Sequence, residues 1–367
     1  MKIDFIDLKK RYAEEKHDLL RIFDKVLKNG SLVLTKEVEN FENNICNFTK
    51  AKYCLGLNSG TDGLMMALWA LGIKKNDEII TTPLSFIASV GAIVHVGAKP
   101  VFVDVNQDLN INEYLIEAAI TKKTKAIMPV HWTGKICNME KIIKIAKKYK
   151  LYVIEDAAQG MGSYYNNQHA GTFGDIAAFS AHPLKNLNAV GDGGFIITNK
   201  KQLYDKIKLL RTHGIKRRDY VEIFGVNSRL DSLNAEILSY RLKKLKKIIT
   251  KRRYNVKLYK KFLNTDKVIL PEDNSNTFDS YVMMVSKCEN RNELQKFLAK
   301  KNIPSLVYYG TPLHLHKASK NLGFKKNSLP IAENIAKKVL SFPYHQYMNE
   351  NQIKFICDNI NKFYEKN

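Results

Sequence analysis

The chain has no apolar run near the ~20 residues that a membrane-spanning helix needs. Its opening residues, Met1-Lys2-Ile3-Asp4, lack the basic-then-apolar pattern of an export leader. Cysteine is scarce: Cys46, Cys54, Cys137, Cys288 and Cys357 are scattered, with no C-x-x-C pair. An odd, unclustered set argues against a disulfide framework or a zinc site, so no metal is expected. No internal repeat or low-complexity linker interrupts the chain. These absences lead us to expect a soluble, unexported, cytoplasmic protein. Acidic residues are also in deficit, 36 against 59 basic ones.

What is present is enough for a large core. The 367 residues are 45% hydrophobic, which suits two domains or one large α/β domain with a smaller partner. The net charge of +23 raises three readings: nucleic acid, an acidic membrane, or an anionic small substrate. Most of the positive residues are lysines in helical runs such as Lys243-Lys244-Leu245-Lys246-Lys247. Leu242, Leu245 and Ile249 keep helical spacing among them, as do Ile142, Ile143 and Ala146 in a second run. A solvated helix face explains that pattern better than a nucleic-acid surface, and no nucleic-acid motif accompanies it.

From about residue 50 to 200, short β-rich runs alternate with helical segments, the signature of a mostly parallel sheet with crossover helices. Strands are expected at 78–81, 100–104, 126–130, 151–155, 177–180 and 195–198. Helices are expected at 61–71, stopped by Gly72, and at 139–149, capped by Asn138. Beyond about 200, long Lys-rich helices run to about Phe262. A strand near 281–285 and a helix near 291–300 then follow. We expect a large domain over residues 1–250, with the N-terminal segment packed back, and a smaller α+β domain over 251–367.

The chemistry concentrates in Glu155-Asp156-Ala157-Ala158-Gln159, Phe179-Ser180-Ala181-His182-Pro183-Leu184-Lys185-Asn186 and Gly191-Asp192-Gly193-Gly194. In a Lys-rich chain, Lys185 alone says nothing. Its place between a buried strand and a glycine turn is informative, because desolvation there lowers an amine's pKa and makes it nucleophilic. Asp156 ends a parallel strand, where ligands of such sheets bind. An isolated Asp there also reads as a helix N-cap. Gln159 alone reads as a capping-box or solvent residue. Asn58-Ser59-Gly60-Thr61-Asp62 opens a helix, so its free N–H groups and dipole make either a phosphate cradle or an ordinary capped turn. Ser180 could add a hydroxyl to such a cradle. Phe86 would stack on a flat ring or sit in the core. Asn227 alone is an N-cap at the start of a long helix. Read together, an acid, an amide, a hydroxyl and an amine in this order suit pyridoxal phosphate.

Taken together, these residues resemble the DegT/DnrJ/EryC1/StrS family of pyridoxal phosphate-dependent nucleotide-sugar aminotransferases, of fold type I. The likeness also runs through Phe5-Ile6-Asp7-Leu8-Lys9, Gly97-Ala98-Lys99-Pro100-Val101-Phe102-Val103-Asp104, Val130-His131-Trp132-Thr133-Gly134, Leu210-Arg211-Thr212-His213-Gly214, Asn227-Ser228-Arg229-Leu230-Asp231 and Tyr309-Gly310-Thr311-Pro312-Leu313-His314. It implies an α/β fold with a mostly parallel central sheet flanked by helices, plus a smaller α+β domain. By the same resemblance, Lys185 joins the cofactor covalently, Asp156 partners its pyridine nitrogen and Gln159 lies near its phenolic oxygen. Gly60, Thr61 and Ser180 hold its phosphate and Phe86 stacks on its ring. Asn227 reaches the phosphate of the neighbouring subunit's cofactor, which implies a homodimer with composite sites. His131, His182, Tyr309 and His314 line the sugar side. Thr35, Asn76 and Gly63 depart from the family pattern at positions away from the chemistry.

Some relatives carry His in place of this lysine and are dehydratases; Lys185 therefore implies amino transfer. The implied reaction moves an amino group from L-glutamate to a nucleotide-linked keto sugar in deoxysugar and cell-surface polysaccharide biosynthesis. The context Pro183-Leu184-Lys185-Asn186-Leu187-Asn188-Ala189 resembles the branch that aminates C-3 of TDP-3-keto-6-deoxyhexoses. A 4-keto or UDP-linked sugar is the enzymatic alternative, and a nucleic-acid-binding regulator the non-enzymatic one.

Overall fold

Strands that are apolar on both faces must lie inside a layered structure, covered from above and below. A computed structural model describes residues 3–30 and 32–366; Met1 and Lys2, part of the leader reading, lie outside them. Seven strands form one sheet: β1 Tyr53–Leu57, β2 Glu78–Thr81, β3 Lys99–Phe102, β4 Thr124–Ile127, β5 Tyr152–Asp156, β6 Ile176–Ser180 and β7 Gly194–Thr198. Their order is β1-β7-β6-β5-β4-β2-β3. Only β7 runs against the others, pairing antiparallel with both β1 and β6. The mostly parallel α/β sheet is as expected.

Six of the strands fall where the apolar runs place them, within three residues at each end. β1 was not anticipated, and Gly56 is the reason. A Cβ there would meet the Leu230 Cβ at 2.9 Å, so close packing requires a glycine that weakens the strand signal.

Helices cover the sheet: α1 Leu8–Lys28, α2 Lys36–Thr49, α3 Gly60–Ala70, α4 Ile87–His95, α5 Met139–Tyr149, α6 Lys201–Leu210, α7 Ser232–Leu242 and α8 Leu245–Phe262. The Asn138 side chain caps α5 by accepting the Lys141 N–H at 3.3 Å. Leu242, Leu245 and Ile249 are buried while Lys243, Lys244, Lys246 and Lys247 are exposed, so this run is a solvated face. No helix opens at Asn227; it lies in the segment ahead of α7, which begins at Ser232 after Asp231. Asn76, one of the departures, sits at φ +73°, a left-handed position that Asn tolerates better than most residues.

The C-terminal part holds a second, smaller sheet of β8 Val268–Ile269, β9 Val285–Cys288 and β10 Val339–Ser341. Helices α9 Arg291–Lys300, α10 Pro330–Lys338 and α11 Glu350–Glu365 pack with it. The strand expected at 281–285 begins only at Val285. Tyr281 takes a left-handed backbone, φ +45°, and its carbonyl and that of Val282 are bonded by Arg252 and Tyr344. Those carbonyls are not free for a ladder. Helix α8 runs through residue 250: Leu245 and Ile249 join the large core, while Val256, Leu258 and Tyr259 join the small one. Ile3 also packs in the small core. Among the described residues, no helix is long and apolar enough to cross a membrane.

Candidate active site

The carboxyl ends of β1, β2, β5 and β6 face one cavity of about 400 Å³, the place where open α/β sheets hold ligands. Each strand delivers a different piece. After β1, Ser59 caps α3 by accepting the Asp62 N–H at 3.1 Å, leaving Gly60 and Thr61 at the helix's positive end beside the cavity. This turn is tightly built. A Cβ on Gly60 would meet the Ser180 Cβ at 3.0 Å, and one on Gly194 would lie 2.3 Å from the Ser59 backbone carbon.

Asp156, the last residue of β5, is buried. Its Oδ2 accepts the Ser89 hydroxyl at 2.6 Å and its Oδ1 the Ala158 N–H at 3.2 Å. Because Ser89 spends its proton on Asp156, Ser85, 2.7 Å away, donates to Ser89. Burial pushes the Asp156 carboxyl up from the ordinary aspartate range, and the Ser89 bond opposes this. Lys185 lines the same cavity. Burial pulls its amine down to about 8, with the Asp156 charge acting the other way. An amine poised there is neutral over much of the mildly alkaline range, as a nucleophile requires.

Gln159 is buried and its Oε1 has no hydrogen-bond partner among the described residues. A buried amide left open is costly unless a ligand satisfies it. Phe86 lines the cavity at 54% exposure, its ring 6.2 Å from that of Tyr309. An amine, an acid, an open amide, an aromatic face and a helix-end cradle converge here, and this donor set fits pyridoxal phosphate.

Two of the four residues assigned to the sugar side, His182 and Tyr309, line the cavity. The other two do not, which corrects the expectation. His131 is fully buried behind Asp156 and its Nε2 bonds Glu155 at 2.9 Å. Glu155 in turn accepts the N–H groups of Gly171, Phe173 and Gly174. His131 thus belongs to a buried polar knot under the site. His314 is also buried, and its Nε2 bonds Glu333 at 3.1 Å. Asn227 is exposed outside the cavity, its Oδ1 accepting from Arg229 Nε at 2.9 Å. Its carbonyl accepts from Asn58 Nδ2 at 3.2 Å, which pins the segment beside the start of α3.

The sequence reading missed Ser89 and Arg252. Ser85 and Ser89 stand four apart across the start of α4, a spacing that puts both on one face. Arg252 follows Leu245 and Ile249 and precedes Val256 and Tyr259 at steps of three or four, which marks it as inward-facing.

A family model described as the DegT/DnrJ/EryC1/StrS aminotransferase family matches residues 13–361. A "pleiotropic regulatory protein" of Geobacillus stearothermophilus is 39% identical, with 99% of each chain covered. The dTDP-3-amino-3,6-dideoxy-alpha-D-galactopyranose transaminase of Aneurinibacillus thermoaerophilus is 37% identical over 98% of this chain and 99% of its own. Among solved structures, S. venezuelae DesV in complex with a ketimine intermediate superposes with a TM-score of 0.96, at 33% identity and 99% coverage of both chains.

Proposed function

Since the chain belongs to the DegT/DnrJ/EryC1/StrS aminotransferase family, we propose that it transfers the amino group of L-glutamate to a nucleotide-linked keto sugar, at C-3 of a TDP-3-keto-6-deoxyhexose. The observation that carries this is the pairing of a lysine tuned to about 8 with a buried aspartate at one cavity. When bound, pyridoxal phosphate supplies an aldehyde that takes up the amino group and a ring that stabilises negative charge at the reacting carbon. Asp156 would hold a proton on the ring nitrogen. Lys185 would move the proton at the reacting carbon as general acid and base. The N–H groups of Gly60 and Thr61, with the Ser180 hydroxyl, would bind the phosphate. Phe86 would cover the ring, Gln159 would bond its phenolic oxygen, and His182 and Tyr309 would face the sugar.

The protein would act as a cytoplasmic homodimer, with Asn227 completing the partner's phosphate site. Exposed apolar residues support that reading: Phe86 and Leu184 line the cavity, and Ile87 and Val190 are exposed close in sequence to other lining residues, a group that a soluble monomer seldom leaves wet. We place the cofactor-holding domain at residues 1–250 and the small domain at 251–367, with α8 as the shared beam. The choice of C-3 and TDP is supported by the name of the Aneurinibacillus relative, a dTDP-3-amino-3,6-dideoxy-alpha-D-galactopyranose transaminase. A panel of TDP- and UDP-linked 3-keto and 4-keto sugars with glutamate tests it, reading product mass and nitrogen position. Amination of the TDP-linked 3-keto sugar is expected; turnover of only a 4-keto or only a UDP-linked sugar overturns it.

The +23 charge favours a second reading, a nucleic-acid-binding regulator, and the Geobacillus relative is named only as a regulatory protein. Duplex binding that persists near 200 mM salt, by a protein that stays colourless with excess pyridoxal phosphate, would select it.

A further inference from the structure

Four arginines are less than a tenth exposed: Arg11, Arg211, Arg241 and Arg252. Three of them have a carboxylate. Arg11 and Arg241 share Glu15, and Arg211 pairs with Glu42 at 2.6 Å. Arg252, 3% exposed, pairs with no carboxylate among the described residues. Its partners are neutral: Gln346 Oε1 at 3.2 Å, the carbonyls of Tyr281 and Val282 at 3.4 and 3.3 Å, and the Tyr344 phenol. It also stands near Arg11, whose own carboxylate partner, Glu15, is shared with Arg241. A guanidinium stays charged under all ordinary conditions, and a buried charge without a counter-ion is expensive. Folding has nevertheless put it on the wall of the cavity that holds Lys185 and Asp156.

We propose that Arg252 is the receptor for a carboxylate of the amino donor, and so fixes glutamate for the first half of the reaction. The inference rests on the aminotransferase reading above. The three oxygens take up Nε and Nη1 and fix the guanidinium plane, which leaves Nη2 to donate to a carboxylate oxygen in a charge-assisted bond. The surroundings favour a small anion over the diphosphate of a nucleotide. Val282 and Tyr344, both hydrogen-bonded to the arginine, wall its side of the cavity, whereas Phe86, His182 and Leu184 are cavity residues exposed to solvent. A bulky, strongly hydrated diphosphate would keep to that open side.

The test uses the holoenzyme and reads the donor half-reaction alone, as the loss of the cofactor's visible band on adding glutamate. Glutarate, a dicarboxylate without an amine, and TDP serve as competing probes. In Arg252→Gln, the glutamate concentration for half-maximal rate should rise about 10- to 100-fold, the loss of one charged hydrogen-bonding partner. Glutarate inhibition should weaken in parallel while TDP inhibition stays unchanged. Arg252→Lys keeps a cation but loses the planar set of donors, and should fall between wild type and Arg252→Gln; it also serves if Arg252→Gln fails to fold. Unchanged glutamate and glutarate behaviour overturns the proposal, as does a loss of TDP inhibition with glutarate unaffected. A wild-type protein without a visible band would instead sink the aminotransferase reading, and the two failures are separable.

Discussion

A single hydrogen bond sets the working range of the site. Ser89 stabilises the ionised form of Asp156 against a burial that favours the neutral one. Removing that hydroxyl raises the carboxyl further, so less of it is ionised at any acidic pH. Ser89→Ala should therefore move the acid limb of the pH–rate profile to higher pH and leave the alkaline limb in place. Lys185 gives the complementary prediction. Its amine, lowered to about 8 by burial, is protonated below that value and nucleophilic above it. Uptake of pyridoxal phosphate by cofactor-free protein, followed by absorbance, should quicken as pH rises through about 8. Lys185→Ala should show neither the band nor the activity. Both groups were legible in the sequence because strand ends in a parallel sheet are fixed points. His131 was legible only as a polar residue near them. Whether it faces the ligand or Glu155 depends on a turn at 171–174 that closes around Glu155 from a different part of the chain.

At the scale of elements, the turn proposed as the phosphate cradle depends on how closely β7 passes the start of α3. A methyl group on Gly194 would sit 2.3 Å from the Ser59 carbon and 2.5 Å from the Gly60 nitrogen, both backbone atoms that cannot swing aside. Gly194→Ala should cost about 1–3 kcal/mol by overpacking, seen as a lower melting temperature together with weakened cofactor retention. Gly91 in α4 is the contrast. A Cβ there meets only His95 Nδ1, at 3.9 Å, and alanine suits a helix interior better than glycine. Gly91→Ala should stabilise the protein by about 0.5–1 kcal/mol without altering cofactor binding. The start of α5 could be read from its Asn138 cap. The strand expected at 281–285 could not, because its carbonyls are claimed by Arg252 and Tyr344 from elsewhere in the fold.

The whole molecule is where the composite site would be decided. If Lys185 and Asn227 of one site come from different subunits, two dead variants should rescue each other. Mixing Lys185→Ala with Asn227→Ala under subunit exchange gives hybrids in which one site carries both defects and the other neither. Activity should return to about a quarter of all sites, as random pairing in a two-fold dimer requires. Absence of rescue, with exchange shown by mass, would place both residues in the same site. Sedimentation at about twice the 42.1 kDa subunit mass is the simpler companion measurement.

The order of apolar runs, turns and polar residues was by itself enough for the parallel sheet and for singling out Lys185, Asp156 and Gly60, which line one cavity, because these are local patterns read at fixed strand ends. Tertiary structure alone decided which inward-facing polar residues touch the cavity. Periodicity says that a side chain is buried but not against what, and burial beside Glu155 or beside an empty wall gives the same one-dimensional signal. That is why His131 and His314 drop out of the sugar side and Arg252, hidden in a run of solvated lysines, enters the site.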